Sequence, residues 1–464
     1  MLLRAALALL PALSMVLPLW AEPLRVGRAA VKITPAAGIP MAGYYSFRLS
    51  EGTHDDLFAK ALVLESGDAK VALVACDLVD IDEALAASAR EAVHAATGIV
   101  PARIMISATH SHTGPLLNRR FLATAPAAPK KLAEQYRAAL PQRIVETVRL
   151  ADQSLTPARA WTATGREESL GFYRRFLMKD GTVRFNPGKM NPDIVQPMGS
   201  IDPDVALAYF DSPEGRPLSA YVNFALHLDT VGGAQFSADY PYTLAKLLAK
   251  LKGPEMLTIF TIGAAGNINH IDVSHKEPQK GHLEAQRIGT VLAGEVLKTM
   301  AKLKPATSAL LQSAQEIVPL PIPSYTAAER ADAAKVAAQF GAAKPPPFLD
   351  LVHAMKVLDV AERKGEPLAA EVQVITLGDQ IAWVALPGEI FVELGVAIKK
   401  ASPFPQTIIV ELANGSVSYV PTKKAYAEGA YEATSARAAP GGGELLAETA
   451  IRLLALLHRN LKLQ

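Results

Sequence analysis

The sequence contains a single cysteine, Cys76, among its 464 residues. One thiol excludes any disulfide bond within the chain. Cys76 directly follows the apolar run Val71–Ala75, and this position predicts a small buried side chain and not a nucleophile. Half of all residues are hydrophobic, so the chain has ample material for a large core without covalent cross-links.

A strong excess of charge of either sign is also missing. The formal net charge is +2, and the lysines and arginines are dispersed among acidic residues. This pattern is typical of a mixed, solvated surface. It gives no indication of nucleic acid as a partner.

Long hydrophobic runs are missing everywhere except at the N-terminus. There, Arg4 precedes the apolar segment Ala5–Trp20, which two prolines interrupt and which Ala21 follows. A short basic region, an apolar core and a small residue predict a secretory signal peptide over residues 1–21. We therefore expect a secreted or periplasmic protein with no stable membrane span after cleavage. The alternative is an uncleaved anchor.

The order of the predicted elements indicates an α/β fold. An apolar strand over Lys70–Cys76 is followed by a helix over Glu83–Ala96, and the next strand leads to His110. Similar apolar strands recur along almost the whole chain. We therefore expect one large domain over residues 22–464, in which helices pack on a mixed sheet and functional side chains lie at strand ends.

Two segments interrupt this alternation. Residues Glu167–Pro203 are polar and rich in Gly, Pro and Asn, which predicts a long active-site loop. Residues Ala328–Lys364 are rich in Ala and Lys, and they are predicted to be helical with a break at three consecutive prolines. This second segment is expected to form an excursion from the core.

The stretch Ile104–Pro115 carries the strongest chemical signal. Its apolar strand leads into two histidines two positions apart, His110 and His112, with hydroxyl side chains around them. In an extended chain, residues i and i+2 point to the same face, so both imidazoles are expected to reach one cleft. This favours a metal site or an acid–base site over an ordinary polar turn. The spacing alone does not name the chemistry.

Two further polar residues follow apolar strands. His227 comes directly after Leu218–Leu226, and Glu389 follows Ile381–Leu386 through a Pro-Gly pair. Together with His110 they match a set of two histidines and a carboxylate that binds zinc. Each alone also has an ordinary interpretation. It could be a polar residue whose hydrogen bonds are made within the fold, and Glu389 could be part of the first turn of a helix.

With these residues the sequence resembles the neutral ceramidase family. The matching segments occur in the family's order and run almost from the mature N-terminus to the closing helix. They are Ile33-Thr34-Pro35, Met41-Ala42-Gly43-Tyr44, Thr109-His110-Ser111-His112-Thr113-Gly114-Pro115, Asn223-Phe224-Ala225-Leu226-His227, Pro387-Gly388-Glu389, Tyr419 and Tyr431-Glu432.

The resemblance implies a zinc amidase of lipid metabolism that splits the amide bond of N-acyl-sphingoid bases. The residues at the positions of the family's zinc ligands are His110, His227, Glu389 and Tyr419. His112 is similar to a histidine that hydrogen-bonds substrate or water, and Tyr431 to a tyrosine near the reacting carbonyl. Arg174 is similar to a substrate-facing arginine, for which Arg175 is the alternative.

These roles predict a zinc-dependent hydrolase acting on a small-molecule or lipid N-acyl substrate. Zinc would lower the pKa of a bound water to about 7 and polarise the scissile carbonyl. His112 or Tyr431 would donate to the developing oxyanion or pass a proton to the leaving amine. Two alternatives are a zinc esterase on the same site and a non-catalytic binding protein of the same fold.

The sequence departs from the family's pattern in two places. Asn269 stands where family members have a serine proposed in catalysis, which predicts turnover by zinc-activated water without an acyl-enzyme. The sequence also ends soon after the tyrosine-bearing segment. We therefore expect it to lack the C-terminal β-sandwich domain of the members that act on membrane lipid.

The expected lack of the C-terminal domain and the polar segment Glu167–Pro203 both bear on the choice of substrate. Side chains such as Arg174 and Arg175 in that segment predict a polar rim, which suits a smaller or more polar N-acyl compound than ceramide. The apolar residues of the same segment would instead line a lipid groove; they are Phe172, Phe176 and Met178.

Overall fold

The computed structural model describes residues 23–342 and 344–463, so the predicted signal peptide lies outside the described residues. Strands and helices alternate along the chain, which confirms the predicted α/β class. The strands are β1 (Arg25–Lys32), β2 (Gly52–Thr53), β3 (Phe58–Ser66), β4 (Ala69–Cys76), β5 (Ile104–Ala108), β6 (Thr156–Pro157), β7 (Arg159–Arg166), β8 (Phe172–Tyr173), β9 (Arg175–Met178), β10 (Val183–Phe185), β11 (Ile194–Pro197), β12 (Asp204–Asp211), β13 (Pro217–Phe224), β14 (Gln235–Phe236), β15 (Leu257–Ile262), β16 (Ile268–Asn269), β17 (Lys304–Pro305), β18 (Leu311–Leu320), β19 (Leu368–Leu377), β20 (Ile381–Ala385), β21 (Glu389–Ile390), β22 (Gln406–Val410) and β23 (Tyr419–Val420).

The helices lie mainly between these strands. They are α1 (Glu83–Thr97), α2 (Arg119–Ala123), α3 (Ala127–Gln153), α4 (Tyr240–Lys252), α5 (His282–Met300), α6 (Ala327–Ala337), α7 (Phe348–Glu362), α8 (Val392–Ala401), α9 (Lys423–Glu428), α10 (Ala430–Ser435) and α11 (Gly442–Leu461). Within the described part of the chain, none of these helices combines the length and the apolar character that a membrane crossing requires.

Three larger sheets carry the architecture. Their strand orders are β5-β4-β3-β1-β6, β15-β13-β12-β7-β17 and β18-β19-β20-β22. Each sheet contains one parallel pair, formed by β4 with β5, β13 with β15 and β20 with β22. The connections within these pairs run through α1, α4 and α8 respectively, because a parallel pair requires a long crossover.

The three sheets pack around a shared core. In β4, Val71 and Leu73 lie in this core, whereas the alternate residues Ala72 and Val74 pack against α1 and α3. Trp383 of the third sheet is fully buried in the shared core, with its ring 5.9 Å from that of Tyr221 in the second sheet. The helices pack on sheets as predicted, but several sheets replace the single one.

The buried ends of the three parallel pairs lie close together. The backbone N–H of Asn414 donates to Ile106, which joins the third sheet to the first. The side chain of Asn223 donates to the carbonyl of Ile409 over 2.8 Å, which joins the second sheet to the third. The loops that leave β5, β13 and β20 therefore emerge next to one another, as expected for strand ends that build a site.

The prediction of a long loop over Glu167–Pro203 is wrong. Four short strands, β8 to β11, lie within this segment, and three of them form the sheet β10-β9-β11. Strands of two to four residues between Gly, Pro and Asn turns leave only a weak alternation in a sequence, so composition alone indicated a loop.

The helical excursion is confirmed in its main features. A capping box formed by Thr326 and Glu329 begins α6, and Pro347 immediately precedes α7. The two helices pack on each other through a small apolar cluster that contains Ala333, Ala354 and Val357. The excursion is therefore a helical hairpin with a small core of its own.

Candidate active site and metal centre

A cavity of about 420 Å³ opens where the loops from the three sheets meet. Most of the side chains singled out in the sequence line it; they are His110, His112, Glu389, Tyr419 and Tyr431. His227 and Arg174 lie directly behind this lining, 3.4 Å apart between Nε2 and Nη1. The structure thus brings all of the predicted site residues together from distant parts of the chain.

The two histidines of the His-x-His stretch converge through a turn and not through an extended strand. β5 ends at Ala108, and His110 has a φ of 76°, in the left-handed region. The backbone N–H groups of His110 and Ser111 both donate to the carbonyl of Leu78 and hold this turn. The i, i+2 argument was therefore wrong in its geometry, although both imidazoles reach the same cavity.

Three imidazoles meet through their Nε2 atoms. The Nε2 of His110 lies 3.0 Å from that of His227 and 3.2 Å from that of His112. The Nδ1 of His110 is 2.8 Å from the carbonyl oxygen of Val79, and the Nδ1 of His227 is 3.1 Å from that of Ala265. Since a carbonyl only accepts, both Nδ1 atoms carry a proton, and both Nε2 atoms face the centre of the cluster.

Glu389 completes this cluster. Its Oε2 lies 3.4 Å from the Nε2 of both His110 and His227. This oxygen is buried and has no hydrogen-bond partner among the described residues. Burial would raise the pKa of Glu389, but His110 and His227 outweigh it and hold that pKa well below its usual range. An ionised, unpartnered oxygen therefore faces the three imidazoles.

The Glu389 carboxylate favours a positive charge among the neighbouring nitrogens. Burial would lower the pKa of His110, but the Glu389 carboxylate outweighs burial and raises it to about 9. Burial and neighbouring cations lower the pKa of His112 and of His227, so these two imidazoles are neutral. A divalent metal ion would replace the proton on His110, since imidazole binds metals in its neutral form. The donor set therefore fits a metal ion.

Arg174 lies beside His227 and Tyr419. Only 3% of its side chain is exposed, and its Nε donates to Glu432 over 2.8 Å. Its Nη2 donates to the carbonyl of Gly266 and, over 3.0 Å, to the hydroxyl of Tyr419. Burial raises the pKa of Tyr419 well above its usual value, so the phenol is neutral in this environment. The structure places Arg174 behind the ligand cluster and not at the mouth of the cavity.

Aromatic side chains form one wall of the cavity, which we call the aromatic wall. Its members that line the cavity are Tyr45, Phe121, Phe340 and Tyr431. Phe185 and Phe348 contact these rings without lining the cavity, and the ring centroids in the cluster are 4.8 to 5.6 Å apart. Phe340 and Phe348 belong to the helical hairpin. This excursion therefore supplies part of the cavity.

The segment Glu167–Pro203 does not supply the predicted polar rim, and the charged side chains that line the cavity, such as Asp82, Arg120 and Asp359, come from other segments. Arg174 and Arg175 are both buried, and their charges are neutralised by Glu432 and Glu428. The opposing expectation of a groove lined by the same segment is also not met at Phe176 and Met178, which pack in the interior. The reason is that β9 is a buried strand, so its side chains serve packing and ion pairing and not the cavity surface.

Two buried carboxylates behind the site were missed as functional residues. Glu411 accepts from the backbone N–H groups of Ala265 and Ile390, over 3.2 and 2.7 Å, and thereby ties together the segments beside His227 and Glu389. It follows β22 directly, which is the same strand-end signal that identified Glu389. Glu432 lies beside Tyr431 in sequence, but no pattern indicated that it would pair with Arg174.

Asn269 is engaged in structural contacts. It lies in β16 and is buried, its Nδ2 donates to Asn186 over 3.0 Å, and its Oδ1 accepts from the N–H of Ile271. Among the described residues, no serine, threonine or cysteine side chain hydrogen-bonds to the three imidazoles. The site therefore contains no nucleophile paired with a histidine base.

Solved structures of neutral ceramidases have the same fold. The crystal structure of neutral ceramidase from Pseudomonas aeruginosa matches with a TM-score of 0.73 and 21% identity, over 95% of this chain and 75% of that chain. A ceramidase complexed with C2 matches with a TM-score of 0.73 and 20% identity, over 95% and 76%. No family model matches the sequence, and no curated protein matches it. The fold that the sequence resemblance implies is thus confirmed.

Proposed function

We propose that this protein is a zinc-dependent hydrolase of the ceramidase type, which cleaves the amide bond of an N-acyl substrate. The observation that carries the proposal is the meeting of three Nε2 atoms and an unpartnered carboxylate oxygen at the cavity. Two imidazoles and a carboxylate with an accessible position are typical of catalytic zinc sites. The fold shared with neutral ceramidases supports the same reaction class.

The ligands in this proposal are His110, His227, Glu389 and Tyr419. The contacts of Nδ1 distinguish His110 and His227 from His112, because a metal-ligating histidine usually donates its other N–H to a fixed acceptor. Both have such an acceptor, whereas the Nδ1 of His112 is buried without a partner. Bound zinc would supply Lewis-acid polarisation of the scissile carbonyl and a water with a pKa of about 7.

Three further side chains handle protons and position in this proposal. His112 is neutral and adjoins the ligands, so it is suited to pass a proton to the leaving amine. Burial raises the pKa of Tyr431 well above its usual value, so its hydroxyl stays protonated and suits donation to the developing oxyanion. Arg174 holds the hydroxyl of Tyr419 and does not itself need to reach the substrate.

Hydrolysis is expected to proceed without an acylated side chain. Asn269 is engaged in structural hydrogen bonds, and in the described part of the chain no serine, threonine or cysteine hydrogen-bonds to the imidazoles. Intact-mass spectrometry of enzyme quenched during turnover should show only the unmodified chain. The matched variant Asn269→Ser should not be more active than the parent. An adduct with the mass of the acyl group on either protein would contradict this mechanism.

The aromatic wall favours a substrate with an apolar acyl chain. For N-acyl compounds of one amine, kcat/KM is expected to rise with chain length until the cavity is filled. Each methylene that becomes buried contributes up to about 0.8 kcal/mol, or roughly a fourfold gain. Phe340→Ala should lower kcat/KM for the longest substrates by about tenfold, since it removes apolar lining.

The control for this series is Leu349→Ala, which alters an exposed residue of the same helical hairpin outside the cavity. It should leave the dependence on chain length unchanged. A fall in kcat/KM with increasing length would favour a small polar substrate, and faster turnover of matched esters would favour an esterase.

The proposal includes a secreted or periplasmic location for the protein. This location rests on the predicted signal peptide at residues 1–21.

A further inference from the structure

A second group of metal-ligating side chains lies outside the cavity. It consists of His54, Asp55 and His282, whose ligand atoms all lie within 4.8 Å of one another. None of the three lines the cavity, and none belongs to a segment that resembles the neutral ceramidase family. They come from two parts of the chain, the segment after β2 and the first residue of α5.

The two imidazoles are stacked. The ring centroids of His54 and His282 are 3.6 Å apart, and their planes are inclined by 24°. A metal ion lies close to the plane of each imidazole that binds it, so the stacked rings must separate before they can share an ion. His54 is exposed, and rotation of its side chain would bring a nitrogen of each ring to one point. Within residues 23–342 and 344–463, no protein group hydrogen-bonds to a ring nitrogen of either histidine, so both are available to a ligand.

Asp55 is held in a fixed orientation beside these rings. The residue is only 7% exposed, its Oδ2 accepts from the hydroxyl of Ser237, and its Oδ1 accepts from the N–H of Ala238, both over 2.7 Å. A carboxylate has about four lone-pair positions, so two remain for a cation. Hydrogen bonds of this kind usually orient a carboxylate that ligates a metal ion.

The backbone around the group is anchored as well. β2 pairs in parallel with β14, and the N–H of His54 donates to the carbonyl of Phe236 over 2.9 Å. Gly281 immediately precedes His282, and its N–H donates to the carbonyl of Thr230 over 2.7 Å. The backbone that carries the three ligands is therefore held in place by contacts that do not depend on a bound ion.

We propose that His54, Asp55 and His282 form a second metal site, which binds a divalent ion of the zinc, cobalt or nickel type. Two imidazole nitrogens and one carboxylate oxygen suit such borderline ions, and water would complete the coordination. The site is accessible, since His54 is exposed and His282 half-buried. A bound ion would fasten the start of α5 to the segment that follows β2.

The site is connected to the His110–His112 turn through Ser237. While the hydroxyl of Ser237 donates to Asp55, its carbonyl accepts from the hydroxyl of Ser111 over 2.6 Å and from that of Thr113 over 3.0 Å. An ion bound at the second site would therefore stabilise Ser237, which supports the His110–His112 turn. Its role is structural, and it takes no part in the proposed hydrolysis.

The test is a zinc titration of the purified protein with its cavity metal in place, followed by calorimetry and by thermal unfolding. The parent is expected to bind about one further equivalent of zinc per chain and to unfold at a higher temperature in its presence. His54→Ala and His282→Ala should each weaken this additional binding by at least about tenfold and abolish the thermal shift. Basal amidase activity should stay unchanged in both variants.

The matched control is His275→Ala, which removes another exposed histidine that is not part of the group. It should retain both the additional binding and the thermal shift. The test uses the histidine variants and not an Asp55 variant, because loss of the buried Asp55 would also remove its two hydrogen bonds. Additional zinc binding that is unchanged in His54→Ala and His282→Ala, or absent from the parent, would overturn the proposal whatever the outcome for the cavity.

Discussion

His227→Ala is expected to abolish binding of the cavity metal and to lower kcat/KM for N-acyl amides by at least about a thousandfold. Loss of only a hydrogen-bond partner of a metal ligand costs roughly 10–100-fold, so loss of the ligand itself should cost more. His227 is 1% exposed and contacts His110, Glu389 and Arg174, so it lies at the centre of the proposed ligand set. Elemental analysis for zinc and steady-state kinetics on the same preparation measure both effects.

His94→Ala provides the control, since this histidine is exposed on α1 and remote from the cavity. It should keep both its zinc content and its activity. Circular dichroism should show that His227→Ala is folded, because the change removes one of several crowded imidazoles. Full zinc occupancy in His227→Ala would remove this residue from the ligand set.

Glu432→Ala is expected to produce the largest loss of stability, about 3–5 kcal/mol in the free energy of unfolding. The Glu432 carboxylate is fully buried and pairs with Arg174 over 2.8 Å and with Arg175 over 3.1 Å. Its removal leaves the guanidinium of Arg174 buried without a carboxylate partner. Activity should fall as well, because Arg174 holds the hydroxyl of Tyr419. Denaturant titration measures the loss of stability.

Glu428→Ala is the matched control for this charge network. Glu428 pairs with Arg175 over 3.0 Å, but it is partly exposed, and Arg175 keeps Glu432 in this variant. The expected loss is smaller than that of Glu432→Ala, because Arg175 keeps Glu432 and the carbonyl of Gly429 as partners. Equal losses for the two variants would mean that Glu432 has no special role in holding Arg174.

Several features of this protein were determined by its sequence alone. Apolar runs of the length of a strand, each followed by His110, His227 or Glu389, predicted both the α/β class and the residues that meet at the cavity. The prediction succeeds because a buried strand needs a continuous apolar run. The end of such a strand is also where a polar side chain first reaches an opening. The helical hairpin was likewise visible as two helical segments separated by prolines.

Only the tertiary structure decided how these residues meet and what surrounds them. The left-handed turn at His110 depends on its hydrogen bonds to the carbonyl of Leu78. The pairing of the buried Arg174 and Arg175 with Glu432 joins segments more than 250 residues apart. A sequence pattern records the period of one element, but it does not record which distant charge neutralises a buried arginine. The proposed second metal site also depends on contacts between distant segments. His54 and His282 share no local pattern, and they meet only because β2 pairs with β14 beside the start of α5.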